Sequence, residues 1–306
     1  MKEFNIYEGI TAKLNEADGY AEISISDGIT KIPTDIDDES YCYDDDRLYT
    51  SCIGDFIVQN NIKNIKIIGG GDLKDISNLF TFCNLQNVDL TSFDTSSVTN
   101  MFAMFYCCKV KQINFAGLFN TFNVVNMESM FENCNIEKLD LSRFNTSNVR
   151  SMELIFADCE HLETLDLSAF NTSNVTHMTG MFENCINLKN VDLSTFSADN
   201  LFDARSMFKN CTNLESIDIP NFGISKVRSL DCMFEECTNL KSIKLPNLKS
   251  IDKHISTNYM FENCTNLENI DFPKFEPTSS RSAYGMIYGC NNLKTVNVSK
   301  TMERMM

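Results

Sequence analysis

The sequence has no tryptophan, only three histidines, and 26 Lys and Arg against 42 Asp and Glu. Each shortage removes a class of function. No apolar run approaches the roughly 20 residues a helix needs to cross a bilayer. The first twenty residues, MKEFNIYEGITAKLNEADGY, lack the apolar core of a signal peptide. A net charge of −16 argues against direct binding to phosphate backbones, which needs clustered Lys and Arg. With 43% hydrophobic and 22% charged residues, the chain is not intrinsically disordered. The histidines carry no catalytic arrangement: His161, His177 and His254 have no nucleophile or carboxylate at a fixed spacing. The triplet Gly69 to Gly71 lacks the Lys-Ser/Thr of a phosphate-binding loop and reads as a turn.

Cysteine, by contrast, is abundant. Nine cysteines (Cys83, Cys108, Cys134, Cys159, Cys185, Cys211, Cys237, Cys264, Cys290) recur at gaps of 25 to 27 residues. Four residues before each stands Met, Leu or Ile, and the following residue is nearly always Phe. A repeat of this period is the signature of a solenoid. Within a unit, Leu165 and Leu167 alternate with polar neighbours, as in a short strand. Val175, Met178, Met181, Phe182 and Cys185 then recur at spacings of three and four, which predicts a short helix. Between them, Asn171 to Asn174 supplies turn and helix-start chemistry. The expected fold is therefore an α/β leucine-rich-repeat solenoid, with one short strand and one short helix per coil and a parallel sheet on one face. Stacking of coils, not any single coil, would bury the apolar side.

The strings FNTSNV (Phe144 to Val149, Phe170 to Val175), MFENC (Met130 to Cys134, Met181 to Cys185, Met260 to Cys264) and CTNL (Cys211 to Leu214, Cys237 to Leu240) carry a further identification. Residues 62–298 resemble the BspA-like leucine-rich-repeat surface proteins of bacteria and some protozoa. That resemblance implies a non-catalytic solenoid used for adhesion and protein contacts, at the cell surface or secreted. The sequence itself shows neither signal peptide nor anchor, which by itself predicts a cytoplasmic protein.

Residues 1–61 do not follow the repeat and are expected to form an acidic N-terminal cap, with residues 62–306 forming about nine coils. The first 60 residues hold 14 acidic and 4 basic side chains, so most of the net charge lies there. Asp35, Asp37, Asp38, Asp44, Asp45 and Asp46 dominate it. Ser40 stands where a calcium loop needs glycine, so a solvated acidic loop is expected.

The cysteine column lacks C-x-x-C pairs and companion histidines, so no metal or cofactor is expected. Buried free thiols are the reading. The phenylalanine column of Phe93, Phe144, Phe170, Phe196, Phe222 and Phe275, continued by Leu118 and Leu248, is expected to be core. Asp140, Asp166, Asp192 and Asp218 fall on adjacent strands. This like-charge ladder should raise its own pKa values or attract cations, and it is a candidate partner-binding stripe. Its alternative is a template role, with Asp bonding nearby backbone and hydroxyl groups. Lys and Glu alternate from Glu163 onward in a neighbouring column and should pair between coils. Phe102, Tyr106, Phe119 and Phe122 lie outside the template and are the second candidate partner surface. The expected function is binding of a protein partner, without nucleic acid or a membrane span. The alternatives are an intracellular effector or inhibitor whose acidic surface mimics nucleic acid, and a structural spacer.

Overall fold

The computed structural model describes residues 1–34, 50–219, 226–244, 255–272 and 282–298. The acidic residues Asp35 to Asp46, and Phe222, Leu248 and Phe275 of the expected core column, lie outside them. The chain opens with a meander of three antiparallel strands, β1 (Lys2–Tyr7), β2 (Ile10–Asn15) and β3 (Tyr20–Ile25). Alternating Ile10, Ala12 and Leu14 turn inward, as do Ala21, Ile23 and Ile25. β3 then pairs in parallel with β4 (Asn64–Gly69), followed by β5 (Asn87–Phe93) and β6 (Gln112–Asn114). Later coils add β7 (Thr164–Leu165) with β8 (Asn190–Val191), and a four-stranded parallel sheet. That sheet comprises β9 (Ser216–Asp218), β10 (Ser242–Lys244), β11 (Asn269–Phe272) and β12 (Thr295–Val298). A second parallel line of single bridges runs Asp75, Asn100, Asn126, Ser151, His177, Asp203, Ser229 and Ser256. The result is a β-solenoid of about eight turns.

One α-helix occurs among the described residues, α1 (Cys52–Gln59). Ser51 caps it: its Oγ accepts the Gly54 N–H and donates to the Leu79 carbonyl, both at 2.9 Å. Ile53, Phe56 and Ile57 bury against the first coil, and the Phe56 ring meets Phe4 edge-on at 5.3 Å.

The short helix expected in each coil is not formed in the described coils. In its place is a run of overlapping turns. Met181, Glu183 and Cys185 donate their N–H groups to the carbonyls three residues back, Met178, Gly180 and Phe182. The intervening N–H groups of Met178, Gly180, Phe182 and Asn184 instead reach the next coil, bonding the carbonyls of Asp203, Arg205, Met207 and Lys209. A helix would direct every N–H to the residue four back. Here two residues per coil stand at left-handed φ and prevent it, for example Ser129 (φ 55°) and Asn133 (φ 52°). A run of overlapping four-residue turns puts apolar side chains inward at nearly the helical spacing, so the pattern alone does not distinguish the two.

The core follows the repeat columns. Phe80, Phe105, Phe131, Phe156, Phe182, Phe208, Phe234 and Phe261 form one continuous stack with ring centroids 5.0 to 5.8 Å apart. Met104, Met130, Met181, Met207, Met233 and Met260 bury beside it. Phe93, Phe144, Phe170 and Phe196 form a second buried column, as expected. In the third coil Leu118 does not continue it: Leu118 is exposed and Phe119 is buried against Phe115 (4.8 Å) and Phe144 (6.0 Å). Phe115 and Phe119 stand four residues apart where Leu141 and Phe144 stand three. Gly117, at φ 69° and with a Cβ position 2.0 Å from the Thr91 carbonyl oxygen, accommodates the extra residue.

Candidate interaction surface

The repeat motifs prove to be structural devices. In FNTSNV, the buried Thr172 hydroxyl donates to the Ser197 carbonyl (2.9 Å) and accepts the Ser197 N–H (2.8 Å). Thr95, Thr121 and Thr146 make the same double bond to Asn120, Asn145 and Asn171 of the next coil. The first Asn closes a turn: Asn171 Oδ1 accepts the Ser173 N–H at 3.0 Å. The second Asn reaches back a coil, with Asn174 Nδ2 donating to the Ser147 carbonyl at 2.8 Å. Each residue of the motif thus bonds backbone or fills core.

The same holds for cysteine. Cys159, Cys185, Cys211, Cys237, Cys264 and Cys290 each donate Sγ–H to a Phe carbonyl in the preceding coil, at 3.0 to 3.1 Å. Burial pushes these thiols well up; Cys237 rises to about 12. Cys107 and Cys232, off the column, are half-buried, and burial with a bond to Glu235 raises Cys232 to about 12. None is poised as a thiolate nucleophile. Among the described residues, no group of three His, Cys, Asp or Glu could hold a metal ion.

The aspartate ladder is exposed at Asp140, Asp166, Asp192 and Asp218. Its expected rise in pKa is overturned. Oδ1 of Asp140, Asp166 and Asp192 accepts the N–H of the serine two residues on, at 2.8 to 3.0 Å. At Asp140 the Ser142 hydroxyl contributes first and its N–H second; at Asp166 and Asp192 the backbone N–H of Ser168 and Ser194 contributes most. All three carboxyls are held below their ordinary range, because bonds to the charged form outweigh like-charge repulsion across solvated strands. At Asp218 the residue two on is Pro220, which has no N–H to offer.

Beside this column the Lys and Glu side chains pair two by two: Lys189 with Glu163 at 2.7 Å, and Lys241 with Glu215 and Lys294 with Glu268 at 2.9 Å. Being exposed and screened by solvent, these pairs set the register of neighbouring coils more than they stabilise the fold.

Of the candidate aromatics, Phe119 belongs to the core, while Phe102 and Tyr106 are half-buried and Tyr106 packs edge-on to Phe82 at 5.6 Å. Phe122 is 51% exposed, in a column that later holds Ser147, Ser173 and Asp199. Leu118 (56%) and Val125 (39%) are exposed on the same coil. This apolar group is unexplained by the template. It was half legible: residues 119–124 read FNTFNV, the FNTSNV motif with one change, so the inward place of Phe119 had a local signal that the expectation for Leu118 overlooked.

A third feature was missed from sequence. The Glu of MFENC forms a lane on the turn run, comprising Glu132, Glu183, Glu235 and Glu262, interrupted by Ala157 and Lys209. Burial pushes Glu132 up to about 7, with Asp158, Glu128 and Glu183 adding to the rise. Glu183 and Glu262 are also raised, chiefly by burial. Lys209 and Glu235 pair at 3.2 Å. Its signal was the recurrence of Glu two residues before Cys.

No helix among the described residues is long and apolar enough to cross a membrane. Two solved structures align with the chain. One is a leucine-rich cell surface protein from Faecalibacterium prausnitzii A2-165, with 16% identity and TM-score 0.22 over 97% of this chain and 95% of that one. The other is the TLR13–ssRNA13 complex, with 13% identity and TM-score 0.24 over 81% of this chain and 45% of that one. Similarity this low carries no argument about function. No curated protein matches the sequence. One family does: it matches residues 74–187, 155–275 and 190–301, which together span well over half of the chain. The chain belongs to the family described as "Mycoplasma protein of unknown function, DUF285".

Proposed function

We propose that this protein is a non-catalytic binding solenoid that recognises a protein partner through the apolar group on its third coil. The observation that carries the reading is the exposure of Leu118, Phe122 and Val125 on one coil. The Phe122 column holds Ser147, Ser173 and Asp199 in later coils, and the next coil has Arg143 and Arg150 at the other two positions. Among the described residues only Phe202 (42% exposed) repeats an exposed apolar residue in the Val125 column. Grouped exposed apolar side chains mark contact surfaces, because burying them against a partner releases ordered water. The repeat chemistry supports it from the other side, since Cys, Thr, Asn and Phe are engaged in holding coils together. The resemblance to BspA-like surface proteins points in the same direction and suggests adhesion as the setting.

The acidic-mimic alternative draws less support. Lys189, Lys241 and Lys294 offset the charge flanking the aspartates, so the strand face is not a uniform acidic surface. The reading is tested by affinity capture with the wild-type chain, a Leu118→Ser/Phe122→Ser variant and an Asp140→Asn/Asp166→Asn variant. A partner retained by the aspartate variant and lost by the apolar variant supports it. The opposite result transfers the function to the acidic column.

A further inference from the structure

The turn runs are joined by a ladder that points one way. At each of eight successive interfaces, four N–H groups of one coil donate to four carbonyls of the next, beginning with Ile76, Asn78, Phe80 and Phe82. At the last interface Thr257, Tyr259, Phe261 and Asn263 donate to the carbonyls of Ser282, Tyr284, Met286 and Tyr288, at 2.7 to 2.9 Å. The corresponding donors of the final coil are the N–H groups of Ala283, Gly285, Ile287 and Gly289. Among the described residues these four have no acceptor. Such groups are satisfied in nearly all folded proteins, by protein or by water.

We propose that this C-terminal end is a docking edge that receives a segment of a partner polypeptide, whose backbone carbonyls bond the N–H groups of Ala283, Gly285, Ile287 and Gly289. Three observations select that occupant. First, the donors fall on alternate residues, and throughout the solenoid such a row is met by alternate backbone carbonyls of a neighbouring chain segment. Second, the edge is backed by apolar surface. Ile287, Cys290 and Leu293 are only partly buried, whereas their counterparts Phe261, Cys264 and Leu267 in the preceding coil are fully covered. Tyr284 (63%) and Tyr288 (70%) flank the row and are the most exposed aromatic side chains of the described coils. The segment should therefore carry aliphatic residues toward this shelf. Third, among the described residues the outer edge of β12 is unpaired, so backbone pairing can continue beside the turn run.

A second copy fits less well. Two C-terminal ends meeting across a twofold axis would set donors against donors. At the N-terminal end the outward carbonyls of the first turn run are partly taken, with Asp75 accepting the Ile32 N–H and Leu79 accepting the Ser51 hydroxyl. The surface is distinct from the Phe122 group, so the two readings stand or fall separately.

The test uses the full ¹⁵N-labelled chain and a synthetic peptide of its own residues 203–214 with Cys211→Ser, a segment whose carbonyls already accept this ladder inside the solenoid. Without peptide, amide exchange at Ala283, Gly285, Ile287 and Gly289 should be fast, and at Phe261 and Asn263 slow. Saturating peptide should slow the four amides by about tenfold or more, leaving the other coils unchanged. Tyr288→Glu sets a carboxylate beside the incoming carbonyls and should weaken peptide binding several-fold without altering exchange at Phe261. The proposal is overturned by any of four results: protection of the four amides in the dilute free chain, protection that appears with protein concentration alone, peptide binding without protection there, or no binding at millimolar peptide. The second of these would assign the edge to another copy of the chain.

Discussion

The thiol of Cys185 donates to the backbone carbonyl of Phe156, 29 residues earlier, at 3.0 Å. That carbonyl also accepts the Cys159 N–H, so the cysteine adds a second bond between coils while filling core. Cys185→Ala should therefore lose one weak bond and leave a sulfur-sized void, costing about 1–2 kcal/mol. Cys185→Ser keeps a donor on a shorter arm and places a more polar group in the core, and should cost about 1–3 kcal/mol. Urea midpoints of the two variants check this. Loss of partner binding by Cys185→Ser at an unchanged melting temperature would contradict a purely structural role.

Thr172 makes a more exacting link, because its single hydroxyl satisfies both the N–H and the carbonyl of Ser197. Thr172→Val preserves shape and strands both groups, with an expected cost of about 2 kcal/mol or more. Thr172→Ser retains the hydroxyl and should recover most of that loss. Equal destabilisation by Val and Ser would mean that methyl packing, not the bonds, holds this position.

Gly117 accommodates the extra residue of the third coil, in the stretch that turns Leu118 to solvent. Gly117→Ala puts a Cβ 2.0 Å from the Thr91 oxygen at a φ that L-residues avoid. Backbone must move, and a destabilisation of about 2 kcal/mol or more follows. The variant should also lose partner binding through Leu118 and Phe122, whereas Gly28→Ala, with open space around its Cβ, disturbs only its own φ. Circular dichroism melts and the capture experiment together separate these effects.

Much of this architecture was legible from nine cysteines in register. Their spacing placed the coils, and the Leu165–Leu167 alternation placed the strands. The Val175-to-Cys185 spacing misled, because a run of overlapping four-residue turns and a helix bury side chains at nearly the same interval. What separates them is the destination of alternate N–H groups, which lies one coil away and leaves no local trace. The same distance hid the Thr172–Ser197 bond and the open donors at Ala283 to Gly289. For the aspartates, repulsion between strands was visible in the sequence, but the serine two residues on was the stronger influence. Local bonding beat like charge because the column is solvated.

Glu132 gives the one strong pH signature. Burial raises its carboxyl to about 7 from an ordinary value near 4.5, so the folded chain holds this proton more tightly than the unfolded chain. The folded state binds more protons between those two values, and stability therefore falls as pH rises through that window. Above about 7 the full cost of a buried carboxylate is present, and below about 4.5 none of it is. Glu183 and Glu262 shift in the same direction and should reinforce the trend. Asp140, Asp166 and Asp192 act oppositely, since their depressed values favour the folded state until acid protonates them. Their window lies below that of Glu132, leaving the range from 5 to 7 to the glutamates. Glu132→Gln removes the charge and keeps the amide within reach of Ser129. It should raise the melting temperature at pH 8 relative to the native chain, and the difference should vanish by pH 5. A difference independent of pH would show that Gln stabilises by packing, and that Glu132 enters the fold already ionised.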